Sequence, residues 1–199
     1  MGLFVGLAVF LALMGLGGRR VPATAWLAVG CMAAGVILYG GRMGVEPVLE
    51  RFLALTPEAS RLDFWRDSLA MIADHPLGIG LAAFKPVFPL YNTSALPAGT
   101  IPWYLHNDVL QLVTDAGWIG AAALLAGLVW FMGRAANRIR RMDPAADPER
   151  FFPAAGALSG IAALVFHSFF DFNLQMPANA VYFVMLMAVV ESCTTEAKS

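Results

Sequence analysis

Three small groups of residues have the types and spacing to do chemistry. The first is His106, followed directly by Asn107 and Asp108. A histidine titrates near neutral pH and can take a proton from a hydroxyl as a general base. The second is Arg61 with Arg66, whose guanidinium forks match the oxygens of a phosphate or diphosphate. The third is His167, Ser168 and Asp171, where His167 and Asp171 are four positions apart and would pair on one helix face. Each group also has a plain structural reading. His106 could cap a helix or bond a loop carbonyl, the arginines could meet lipid headgroups, and the third group could simply reach water from the last turn of a helix. Asn173 and Gln175 read as turn residues, and His75, directly before Pro76, reads as a helix stop.

The elements that must position these groups are membrane spans. Hydrophobic residues make up 59% of the 199-residue chain and charged ones only 14%, well above the roughly 45–50% apolar content of ordinary globular domains. Five runs approach the roughly 20 residues that a bilayer core demands: Gly2 to Gly17, Ala23 to Gly40, Gly117 to Met132, Ala154 to Phe170 and Ala178 to Val190. The expected fold is therefore all-α and polytopic, with about five transmembrane helices. Two spans occupy residues 1–41, a large outer loop residues 42–116, and three spans with a short tail residues 117–199.

Charge sets the orientation, because basic loops stay on the cytoplasmic side. Arg19 and Arg20 follow the first run, and Arg134, Arg138, Arg140, Arg141 and Arg150 follow the third. Residues 42–116 then lie outside with five basic and eight acidic residues, as does the turn from Asp171 to Pro177. The tail through Lys198 falls inside. Positive charge follows the first run rather than preceding it, so that run is not a convincing cleavable signal. An odd span number with an outer amino terminus suggests the carboxy-terminal half of a longer architecture. Cys31 lies within a span and Cys193 on the reducing side, so no disulfide is expected. A net charge of −1 speaks against a nucleic-acid partner, and no zinc spacing, phosphate loop or dinucleotide fingerprint occurs.

Within the outer loop, Ser60 and Asp63 have the spacing of a capping box and predict a helix from Ser60 to the stop at Pro76. Leu62, Trp65, Leu69 and Ile72 would form its apolar stripe, laid along the membrane surface or on the spans. Gly78 and Gly80 predict a tight turn. Residues 85–102, with Pro86, Pro89, Pro97, Pro102 and Gly99, predict a long irregular loop. The helix of the third span is then expected to begin near His106 and to run unbroken through Gly117, with Trp103 and Tyr104 at headgroup level.

In order and spacing these residues resemble the O-antigen ligase and O-antigen polymerase proteins, which share a carboxy-terminal membrane domain. The likeness lies in Arg61-Leu-Asp-Phe-Trp65, in Asp74-His-Pro-Leu-Gly-Ile-Gly80 with Phe84, in Leu105-His106-Asn107-Asp108 with Gln111 and Ala116-Gly117-Trp118-Ile119-Gly120, and in His167-Ser168 with Asp171-Phe172. It covers roughly residues 55–190. The resemblance implies a multi-pass enzyme of the bacterial inner membrane that takes a glycan from undecaprenyl diphosphate at the periplasmic face. It would join that glycan to lipid A core as a ligase, or to a growing glycan as a polymerase; protein acceptors also occur in the superfamily. His106 would be the catalytic base and Arg61 and Arg66 the diphosphate ligands, with Asn107, His167 and Asp171 in support and no metal or other cofactor required. A polyprenyl tail between spans would account for Gly117, Gly120 and Gly127, which equally suit close helix packing. Family members have about twice as many spans, with further arginines ahead of residue 1, so activity of this stretch alone is in question.

Two readings from other classes compete. A transporter component should show ionisable residues at span centres and repeated broken helices, and spans one, two, three and five carry no charge near their middles. A non-catalytic membrane scaffold would tolerate loss of His106 and Arg61.

Overall fold

The computed structural model describes residues 2–15, 23–43, 56–93 and 102–195. The expectations resting on Arg19, Arg20, Arg51, Pro97, Gly99 and Lys198 lie outside them. Every described element is helical, as the composition predicted. Helix α1 runs Gly2–Gly15 and α2 Ala23–Met43. Between α2 and the third apolar run α3 covers Thr56–Asp74, followed by the single turn α4, Phe84–Val87, and a 3-10 turn, Phe88–Leu90. Then come α5 at Asp108–Arg141, α6 at Pro148–His167, a 3-10 turn at Asn173–Gln175, and α7 at Pro177–Thr194.

The described part of each apolar run is helical, except for residues 168–170 at the end of the fourth. Among the described residues three helices, α5, α6 and α7, are long and apolar enough to cross a membrane, while α1 is a shorter apolar helix. Large hydrophobic side chains stand exposed along them, including Ile119, Leu124, Val129 and Trp130 on α5 and Val181, Val184 and Met185 on α7. Exposed apolar surface of this extent is stable only against lipid or a protein partner.

Helix α6 is the centre of the bundle, packed along α1 on one side and α7 on the other. Gly2 and Gly6 let α1 approach closely: a Cβ on either would lie 2.8 and 2.9 Å from the carbonyl oxygens of Ala163 and Ser159, the small-residue packing that membrane helices favour. Leu13, Met14, Ile139, Phe151, Leu158 and Val190 close a core at the arginine-bearing end. There Glu191 accepts from Arg138 at 2.9 Å, with Arg134 3.9 Å away.

The stretch from residue 56 to Gly117 departs from expectation in three places. Helix α3 already includes Thr56, four residues ahead of the expected start at Ser60. Its inward face is Phe64, Asp67, Ser68, Met71 and Ile72, whereas Leu62 and Leu69 are exposed. The buried stripe is thus rotated from the expected one, because Asp67 turns inward to accept from the Thr93 amide at 2.9 Å and its hydroxyl at 2.7 Å. Residues 84–90 are not irregular: they form α4 and its 3-10 turn, and Phe84 and Phe88 bury themselves with Phe64, Met71 and Leu105 in a second core.

The third departure is the most consequential. Helix α5 is broken at Gly117, whose φ of 68° and ψ of 179° are not helical. The turn after α3 fills the break. Ile79 and Gly80 donate to the carbonyls of Thr114 and Asp115 at 2.9 and 3.0 Å, and Trp118 donates to Pro76 O at 3.0 Å. Backbone groups released by a broken membrane helix must find such partners. The approach is so close that a Cβ on Gly117 would stand 2.3 Å from the Leu77 carbonyl carbon, and one on Gly78 2.5 Å from Asp115 O. Gly78 and Gly80, at φ 88° and 98°, form the predicted turn. These backbone bonds tie the end of α3 to α5.

Candidate functional site

The short helix before the break, Asp108–Ala116, holds the polar groups at the end of the bundle opposite the arginines. Asn107 is its N-cap, accepting from the Leu110 amide at 2.9 Å. Its side chain is therefore committed to starting the helix. Asp108 is buried and accepts from the Leu174 amide at 2.8 Å, while its own amide donates to Ser168 O at 2.8 Å. These two bonds draw the start of α5, the end of α6 and the turn 168–176 together.

Leu105 is held through both of its backbone groups. The buried Gln111 accepts from its amide at 3.1 Å and donates to Asp115 at 3.0 Å, and Trp65 of α3 donates through Nε1 to its carbonyl at 2.8 Å. The next residue, His106, sits at φ 53°, a left-handed conformation uncommon for a side-chain-bearing residue and often found at functional sites. Its Nδ1 is 3.2 Å from Asp171 Oδ1, and its ring meets Phe172 edge-on with centroids 4.7 Å apart. Phe172 in turn stacks on Tyr104. The imidazole is partly exposed, at 32% of its side-chain surface.

This arrangement corrects the pairing expected within one helix. Helix α6 ends at His167, so Asp171 lies beyond it in a turn and the two do not share a helix face. Asp171 instead meets a histidine 65 positions earlier. Its Oδ1 also accepts from the Phe172 amide at 2.9 Å, which fixes the carboxylate. His167 is exposed at the helix end.

Arg61 lies in α3, four residues before Trp65. Its side chain is outside the described part. Arg66 is 67% exposed and engaged on its own helix, with Asp63 at 3.4 Å and Asp67 at 3.8 Å, and it donates to Thr93 at 3.4 Å. Lys85 sits 3.1 Å from the centroid of the exposed Trp103 ring. The helix-stop reading of His75 gains a detail: Tyr91 donates to Asp74 at 3.0 Å and lies 3.2 Å from His75 Nε2. Partial burial, reinforced by the bond to Asp74 and its charge, raises the Tyr91 phenol above its usual range, so it remains a proton donor near neutral pH.

Of the residues chosen from sequence, the structure therefore brings His106, Asn107 and Asp171 into one cluster and leaves Arg66 on the outer face of α3. Asp108, Gln111 and Trp65 are the positioning residues that sequence reasoning had not assigned. Gln111 and Asp115, polar and four apart in an otherwise apolar stretch, were the signal for the first link. Among the described residues no three of His, Cys, Asp or Glu gather as a metal ion would require.

Comparison with known proteins gives one family. The model of the O-antigen ligase family matches residues 1–125, a stretch that includes Arg61, Trp65, the 74–80 turn, His106 and Gly117 and stops short of His167 and Asp171. No curated protein matches the chain.

Proposed function

The chain belongs to the O-antigen ligase family, and on that premise we propose that it transfers a glycan from undecaprenyl diphosphate to lipid A core at the periplasmic face of the bacterial inner membrane. The observation that carries this reading is the seating of His106: a left-handed residue fixed through Leu105 by two other helical segments, with Nδ1 on a carboxylate. A carboxylate only accepts, so Nδ1 bears the proton and Nε2 presents its lone pair. Nε2 then takes the proton of the acceptor hydroxyl as its oxygen attacks the anomeric carbon. The bond from that carbon to the diphosphate oxygen breaks, and undecaprenyl diphosphate leaves with the bonding pair. Asp171 stabilises the imidazolium that forms.

The leaving diphosphate needs positive charge, and Arg61, one turn from Trp65, is the residue assigned to it. Arg66 shares its charge with Asp63 and Asp67 and is the weaker ligand. Asn107 supports the site by capping the helix that follows His106. A polymerase would use the same steps with a glycan as acceptor.

The test is a glycolipid gel from cells lacking their own ligase and expressing the protein intact or as His106→Ala. The expected result is glycan on lipid A core with intact protein, and glycan left on the undecaprenyl carrier with the variant. Transfer by the variant would overturn the role of His106. Glycan lengthened on the carrier rather than moved to core would identify a polymerase.

A further inference from the structure

At the end of the bundle opposite His106, α5 carries Arg134, Arg138 and Arg141 at spacings of four and three, which place them on one face. Basic residues in the last turns of a helix answer its dipole, and beside a membrane they set orientation; both reasons apply equally to Arg140. What sets the three apart is a groove of about 500 Å³ that all of them line and Arg140 does not. Its other walls are Val129, Trp130, Gly133 and Asn137, so it runs along α5 for about 18 Å from exposed apolar residues to charged ones. Gly133 keeps the trough open, since even a Cβ there would meet nothing within 4 Å. The Arg134 guanidinium carbon lies 5.3 Å from the centroid of the Trp130 ring, within cation–π reach.

The charges along the groove do not balance. Among the described residues Glu191 of α7 is the one carboxylate within 4 Å of these arginines, accepting from Arg138 at 2.9 Å and standing 3.9 Å from Arg134. The Arg141 side chain has no ion pair or hydrogen bond among them. Asp143 and Asp147 line an adjoining cavity with Arg141, but Asp147 faces Arg150 at 3.6 Å and Asp143 accepts from the Ala145 amide at 3.0 Å. Three guanidiniums against one carboxylate leave positive charge for an anion to meet.

We propose that this groove binds an anionic glycerophospholipid. Its phosphodiester sits between Arg134 and Arg141, about 10 Å apart along the helix axis, a span that two arginine side chains close from either side. Guanidinium forks match the phosphate oxygens, and basic pockets beside membrane helices take such headgroups. Asn137 is placed to bond a headgroup hydroxyl, and an acyl chain runs over Gly133 toward Trp130 and Val129. The apolar half of the groove selects a lipid over a free phosphate, which would use the arginines alone. The unbalanced charge selects an anionic lipid over a zwitterionic one. The site stands apart from the transfer reading of His106 and holds whichever acceptor the enzyme uses.

The experiment is native mass spectrometry of the full chain in detergent, titrated separately with palmitoyl-oleoyl phosphatidylglycerol and with phosphatidylcholine of the same chains. Phosphatidylglycerol should bind about tenfold more tightly. Arg134→Gln and Arg141→Gln should each weaken it about tenfold, the loss of one charge-assisted bond. Arg140→Gln, which removes the same charge one residue away, should leave it within about twofold. Gly133→Leu keeps every charge and blocks the trough, and should weaken binding about threefold or more. Thermal unfolding of each variant, read alongside, separates a lost site from a lost fold. Equal binding of the two lipids would overturn the proposal, as would an Arg140→Gln loss as deep as that of Arg141→Gln, which would mean diffuse charge rather than a site. Binding that survives Gly133→Leu would place the lipid off the groove, and displacement of phosphatidylglycerol by millimolar inorganic phosphate would assign the arginines to a free anion; either result also overturns it.

Discussion

Leu105 donates its amide to Gln111 and accepts at its carbonyl from Trp65, and every role proposed for His106 follows from that double tether. Replacing Trp65 by Phe keeps the ring and removes the donor. Turnover should fall about tenfold while the melting temperature in detergent changes little. An unchanged rate would show that Trp65 packs but does not position. Asn107 separates helix capping from chemistry: Asn107→Ser, which keeps a capping oxygen, should retain activity, and Asn107→Ala should lose about 1 kcal/mol of stability, read by thermal unfolding. A catalytic Asn107 would instead lose activity in both. His106 drew notice in the sequence because it stands beside Asn107 and Asp108 just ahead of an apolar run. Its partner Asp171 was not legible, because their contact spans 65 positions and depends on where α6 ends.

At the scale of elements, the break in α5 and the turn 76–80 are one device. The sequence showed the two glycines of the turn but not the fracture at Gly117, since nothing in the surrounding apolar run distinguishes a glycine that packs from one that bends the chain. What distinguishes them is the partner. Gly117 has Leu77 against its Cα at positive φ, whereas Gly127 faces open space within a helix. Gly117→Ala should therefore destabilise the protein by at least about 2 kcal/mol. Gly127→Ala should leave stability unchanged or raise it by up to about 1 kcal/mol. Thermal unfolding of both variants in the same detergent checks the contrast; similar behaviour would mean that the break is not locked by the turn. The rotated stripe of α3 was hidden for a related reason. A buried Asp67 holding Thr93 looks, from composition alone, like a solvent-facing residue.

For the whole molecule, hydropathy and arginine placement carried most of the architecture: a described helix lies in each of the five apolar runs, and the arginines of α5 and α6 gather at the end opposite His106. The docking of the outer segment onto the bundle was not legible, because it depends on backbone bonds at Gly78 and Gly117 rather than on side-chain type. The proposed orientation is checked by cysteine labelling, with Cys31 and Cys193 first replaced by alanine. A membrane-impermeant maleimide should reach Leu90→Cys from the periplasm and Ala145→Cys only after the inner membrane is opened; the reverse pattern would invert the topology. The central claim is that His106 and Asp171 act together in glycan transfer. It is met most directly by release of undecaprenyl diphosphate from a lipid-linked glycan in proteoliposomes containing acceptor, measured for His106→Ala, Asp171→Asn, His167→Ala and the His106–Asp171 double variant. The account predicts that His106→Ala loses at least about a hundredfold, that Asp171→Asn adds nothing further in its background, and that His167→Ala stays near the intact rate. A His167→Ala loss as deep as that of His106→Ala, or additive losses at His106 and Asp171, would contradict it.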